Sequence, residues 1–82
     1  MKSNLKALEA RYRAAFAEQL RMYMADVGMC GNELARKAAI PVSSIYNYQK
    51  GRTLPDAFAL ARICVALGVD VSELLGIKAV DE

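Results

Sequence analysis

The centre of the chain holds two short helical segments with almost nothing between them. Residues from Gly31 to Ala38 read as one helix, with Leu34, Ala35 and Ala38 inward. Residues from about Pro41 to Lys50 read as the next, with Ile45 and Tyr48 inward. Only Ala39 and Ile40 join them, in a tight turn. Ala35 is small enough to let two helix backbones approach. Leu34, Ile40, Ile45 and Tyr48 then supply an apolar wedge between the pair. Pro41 suits a first helical turn, because the N–H it lacks would have no partner there. Gly51 ends the second segment in the manner of a left-handed cap.

The same punctuation organises the rest. Gly28, Gly31, the Ile40–Pro41 pair, Gly51, Pro55, Gly68 and Gly76 cut the chain into five helical pieces. The first runs from about Asn4 to Asp26, with Ser3 or Asn4 as its cap and Gly28 as its stop. Phe16, Leu20, Tyr23, Met24 and Val27 recur at helical spacing and are predicted to face the core. Met22, Met24 and Met29 read as core or near-core filling. Upstream, Leu5, Leu8, Tyr12 and Ala15 form a second, offset stripe. The fourth piece begins after Pro55 with Asp56 as N-cap, and Leu60, Ile63, Cys64 and Leu67 give a clean apolar stripe up to Gly68. The fifth is short, capped by Ser72, with Leu74 and Leu75 inward and Gly76 at its end. No segment alternates with period two for long enough to make a strand. The expectation is an all-α domain of five helices over residues 1–82, with an N-terminal extension (1–15), a core (16–76) and a tail (77–82).

Size agrees: 82 residues suffice for one core and are too few for two, and 55% hydrophobic residues argue against disorder. Two cysteines, Cys30 and Cys64, stand at no metal-like or redox-like spacing, which points to a reducing, cytoplasmic setting. Cys64 falls in a core stripe and reads as a small hydrophobe. The N-terminus lacks the apolar core of a signal peptide, and Ile63 to Val69 is far too short to span a bilayer. Histidine is absent, removing the commonest general base and metal ligand. There is no glycine-rich phosphate loop, no carboxylate pair in a plausible cleft and no activated cysteine, so no catalytic residue, metal, cofactor or small-molecule ligand is expected.

The net charge is only +2, yet its distribution is uneven. Between Leu34 and Pro55 lie Arg36, Lys37, Lys50 and Arg52, with no acid. Such a segment can be the electrostatic footprint of an anionic partner or an ordinary solvated face. Two short helices and a tight turn beside it give the layout of a DNA-reading helix-turn-helix, whose second helix enters the major groove.

From Leu20 to Gly76, about 57 of the 82 residues, the sequence resembles the phage repressor and Cro-like (XRE-type) helix-turn-helix family. The carrying residues are Glu33-Leu34-Ala35, Ile40 in the turn, Ser43-Ser44-Ile45, Gly51-Arg52, Pro55, Leu67-Gly68-Val69 and Ser72-Glu73-Leu74-Leu75. The resemblance implies a lambda-repressor-like fold and a regulator that binds double-stranded DNA as a homodimer, most simply a repressor on a two-fold operator. It places the base-reading positions on Val42, Ser43 and Asn47, with Tyr46 alongside. Asn can pair bidentately with adenine, Ser can donate or accept, and Val can pack on a thymine methyl. Backbone contacts would come from Gly31 and Asn32 at the start of the second helix and from Lys50, Arg52 and Thr53 after the third.

The sequence departs from the family pattern at five positions. Cys30 takes a slot often filled by a capping Ser or Thr, and Gly31 one usually filled by Gln. Ala39 stands where Gly is frequent in the turn. Val42 and Ser43 are weaker readers than the more common Gln or Arg. The Leu5–Ala15 stripe either packs on its own domain or meets a second chain, and the latter is favoured. The C-terminal end, with Val71, Leu74, Ile77 and Val80, is the other candidate dimer surface. The alternative function is a protein-interaction or antitoxin-like module on the same fold.

Overall fold

A computed structural model describes residues 4–75. They form five helices: α1 Leu5–Val27, α2 Gly31–Ala38, α3 Val42–Gln49, α4 Ala57–Leu67 and α5 Val71–Leu75. Among the described residues there is no strand. Ser3, Gly76, Ile77 and Val80 lie outside them, so the expectations placed there lie outside too.

One core joins all five helices. Phe16, Leu20 and Met24 enter it from α1, Leu34 and Ala38 from α2, Ile45 and Tyr48 from α3, Ile63, Cys64 and Leu67 from α4, and Leu74 from α5. The i, i+4 spacing of Phe16, Leu20 and Met24 makes a straight apolar ridge on α1, against which the shorter helices gather. Phe16 meets Tyr48 edge to face, ring centroids 6.3 Å apart, an arrangement that aromatic quadrupoles favour. Ile40, in the turn between α2 and α3, is also buried. At the start of α4, the Asp56 carboxylate accepts the Ala59 N–H at 2.8 Å, the expected N-cap.

Several expectations need correction. Val27 continues the core spacing but is half exposed, because the chain leaves the helix at Gly28 and turns back. The N–H of Met29 donates to the Met24 carbonyl, and Met29 packs on the core instead. Met22 is exposed rather than core filling, being two residues from both Leu20 and Met24 and so off their face. Asn4 stands at the N-cap of α1 but makes no capping hydrogen bond. Pro41 and Lys50 flank α3 as its cap residues, the helix itself running Val42–Gln49. Ser72 lies inside α5. The cap position falls on Asp70, whose N–H donates to Glu73 Oε1 at 2.9 Å, half of a capping box. Leu74 is fully buried and so is not available as a dimer surface, although Val71 is exposed.

The N-terminal stripe does not fold back on its own domain. Every residue from Asn4 to Tyr12 is exposed, with Leu5 at 70%. Burial begins only at Arg13 and Ala15, where α1 reaches the body of the domain. No helix of the described residues is long and apolar enough to cross a membrane.

Candidate nucleic-acid interface

The turn between α2 and α3 is made by Ala39 in the left-handed conformation, φ 57 and ψ 48. The Ile40 N–H returns to the Ala35 carbonyl at 3.0 Å and closes the end of α2. An L-residue with a β-carbon is strained there by about 1–2 kcal/mol. Burial of Ile40 on the wedge of Leu34, Ile45 and Tyr48 holds it in place. Pro41, extended at φ −57 and ψ 140, then starts α3 with its carbonyl accepting from Ser44 and Ile45. The two helices are therefore oriented by a handful of local contacts, as the sequence leads one to expect.

Ile45 and Tyr48 point α3 inward, which leaves Val42, Ser43, Tyr46 and Lys50 exposed and Asn47 half-buried. At 100° per residue, Ser43 and Lys50 stand at the middle of the outer face, with Tyr46 and Asn47 on opposite flanks. Tyr46 leans toward α2, and its ring lies against Gly31. Asn47 leans toward the loop after α3, where Arg52 Nη1 approaches its Oδ1 at 3.5 Å. The structure thus brings Val42, Ser43, Tyr46, Asn47, Lys50 and Arg52 onto one side of the molecule. Thr53 is exposed in the same loop.

The start of α2 differs from the rest of this surface. Cys30 occupies the N-cap with no side-chain hydrogen bond, so no side chain caps the first-turn N–H groups. Asn32 is exposed, but Gly31 is buried beneath Tyr46. The free thiol of Cys30 is exposed beside them, while Cys64 is buried.

Two side chains that the sequence does not single out, Arg21 and Gln49, tie α3 to α1. Arg21 on α1 donates from Nη1 to the carbonyl of Gln49, one of the orphan carbonyls at the end of α3, where a cation is also favoured by the helix dipole. The Gln49 side chain reaches Met24 Sδ at 3.5 Å. Gly51 completes the support. It has φ +74, and a β-carbon there would stand 3.6 Å from the Arg13 carbonyl and 3.7 Å from Ala17 Cβ. The left-handed φ excludes most residues, and the loop lies close along α1. The Arg52 N–H closes the motif on the Asn47 carbonyl at 3.0 Å.

Arg36, Lys37, Lys50 and Arg52 are all exposed, and none forms a salt bridge among the described residues. Lys50 and Arg52 therefore bring positive charge without an ion-pair partner to the outer end of α3 and the loop after it. Among the described residues there is also no cluster of three or more His, Cys, Asp or Glu able to hold a metal ion.

Two short helices, a strained turn, an outward-facing second helix and a basic loop behind it define a small helix-turn-helix domain. Comparison of the sequence agrees: residues 15–75 match the family described as a helix-turn-helix domain, and the chain belongs to that family, of the XRE/Cro-like type. Neither the curated proteins nor the solved structures yield a significant match. The matched span begins at Ala15, leaving the exposed N-terminal part of α1 outside it.

Proposed function

We propose that this domain is a sequence-specific, double-stranded DNA-binding regulator of transcription, repressor-like in action, that occupies an operator as a homodimer in the cytoplasm. The observation that carries the reading is the outer face of α3. It is polar apart from Val42 at its edge and carries no acid, with Lys50 at its middle and Arg52 in the loop beyond, neither of them in a salt bridge among the described residues, and it is mounted on a helix pair of the matched family. Val42, Ser43 and Asn47 would meet base edges, while Asn32, Lys50, Arg52 and Thr53 would grip phosphates and set the register. A face of this modest reading power favours two copies on a two-fold site.

The test is a set of binding isotherms at several salt concentrations, joined to selection from random duplexes. Binding through phosphates falls in log K by about 0.9 per contact for each tenfold rise in salt. A steep slope and an enriched palindromic half-site are expected. A flat slope with no preferred duplex would remove the reading.

One observation favours a protein partner on the same fold. The outer side of α4 carries exposed Phe58 and Val65, which a DNA-binding face does not need. For an antitoxin-like module, Asn47→Ala and Lys50→Ala would leave partner binding intact, and charges on α4 or on the Leu5–Tyr12 stripe would abolish it.

A further inference from the structure

Gly31 opens α2, yet its φ is not in the left-handed region that favours glycine. Helix propensity prefers almost any other residue there. What glycine supplies at this position is room. A β-carbon would stand 3.0 Å from Tyr46 Cε1 and 3.5 Å from Tyr46 Cζ, with Gln49 Oε1 also at 3.5 Å. The first distance is well inside ordinary carbon–carbon contact. Tyr46 and Gln49, one turn apart on α3, both lie over the bare backbone at the start of α2. The wedge of Leu34, Ile40, Ile45 and Tyr48 joins the two helices on their inner side. On the outer side they meet where Tyr46 and Gln49 cover Gly31.

We infer that Tyr46 is a positioning residue for DNA reading rather than a base reader, and that Gly31 is the socket that admits its ring. A ring seated on the α2 backbone cannot swing to a base edge without giving up that contact. Seated, it fixes the separation of α2 and α3 on the side that faces the groove. That separation sets how far Val42 and Ser43, at the start of α3, reach toward the bases. Side chains in a site of this kind must be held to within a fraction of an ångström, and a β-carbon at position 31 would displace the ring by several tenths. The inference rests on the DNA-binding reading above.

The experiment is a double-mutant cycle with Gly31→Ala and Tyr46→Ala, with Tyr46→Phe as the conservative control. Three quantities are read: thermal unfolding, affinity for the duplex that the wild type selects, and the base preference of each variant. Gly31→Ala is expected to stay folded, since its backbone is ordinary helix. It is expected to lose about tenfold in affinity for the selected duplex, the order of one mismatched base pair, with preference relaxed at several positions together. Tyr46→Ala should do the same, and adding Gly31→Ala to it should change nothing further. Tyr46→Phe should keep the wild-type preference. The inference is overturned if Gly31→Ala leaves the preference intact, if the two effects simply add, or if Tyr46→Ala alters preference at a single base pair while Gly31→Ala is silent. A wild type with no preferred duplex would remove the DNA-binding reading and this inference with it.

Discussion

Individual residues carry strain and charge that can be tested one at a time. Ala39 holds a left-handed φ of 57 that glycine adopts freely. Ala39→Gly should relieve about 1–2 kcal/mol of strain and return part of it through a looser unfolded chain. The net gain should be about 0.5–1 kcal/mol, seen as a rise in Tm of roughly 3–6 °C. No gain would mean that the turn relaxes around alanine in solution. Burial, reinforced by Asp70, pushes the Cys64 thiol above its ordinary 9.0, and burial with Asp56 does the same to the Tyr48 phenol, ordinarily 10.0. In both, the folded state holds the proton more tightly than the unfolded chain. Their stabilising effect is therefore complete below the unfolded values and is lost as pH rises through the folded ones. Stability should fall on the alkaline side above about pH 9, and Cys64→Ala should flatten that fall although it lowers Tm overall. An unchanged alkaline slope in the variant would contradict it. Arg52 meets Asn47 twice, through its backbone N–H on the Asn47 carbonyl and through Nη1 at Oδ1, and only the second contact belongs to its side chain. Arg52→Ala is expected to weaken binding to every duplex and also to relax preference at the base that Asn47 is proposed to meet. Lys50→Ala should weaken binding uniformly and reduce the salt slope by about one. Both are read from the same isotherms.

At the scale of elements, the helices were legible because their signals are local. Glycines, prolines and the apolar spacing mark α2, α3 and α4 within a residue or two, and Asp56 announces its own cap. Errors arise at helix ends, where the turn geometry overrides spacing and residue type. Val27 keeps the right spacing but loses its place to Met29, because the chain reverses at Gly28. Ser72 is a good capping residue by type, but Glu73 reaches back to Asp70 and moves the start of α5 upstream. The outer face of α3 could be read from sequence, since Ile45 and Tyr48 fix which side is inward. Its supports could not. Arg21 and Gln49 are 28 positions apart, and nothing local pairs them. That Gly31 provides space rather than a turn is visible only once Tyr46 is seen above it. The extension of α1 is a separate element in energetic terms. With Asn4 to Tyr12 all exposed, it adds no buried residue to the core of its own domain. Replacing Leu5 and Leu8 together by Ala should therefore change the Tm of the monomer by no more than about 2 °C, a surface-sized effect. A larger loss would show that the extension contributes to the fold or to a pair.

At the scale of the whole molecule, two exposed apolar faces are candidates for the proposed pairing. The stripe of α1 is bordered by Lys6, Glu9, Arg11 and Arg13, the normal dress of a solvated helix. Helix α4 is different. Arg62 is its single charged residue, folded over Phe58 at 4.5 Å from the ring centroid. Phe58 is 69% exposed and Val65, two turns on, 82%. A helix apolar all round is normally covered on every side. The proposed pairing is therefore expected to use α4, rather than the Leu5–Ala15 stripe that the sequence favours or the C-terminal end that is its other candidate. Sedimentation equilibrium should find Val65→Glu monomeric and Leu8→Glu still dimeric; the opposite pattern would place the joint on α1.

Val65 has a further consequence in gene dosage. If two copies must meet through that face before an operator is held, occupancy at low concentration rises with the square of the protein concentration. Halving expression would then cut occupancy about fourfold, by mass action alone. Such a regulator would respond sharply to its own abundance, and the steepness of that response would be written on the outside of α4.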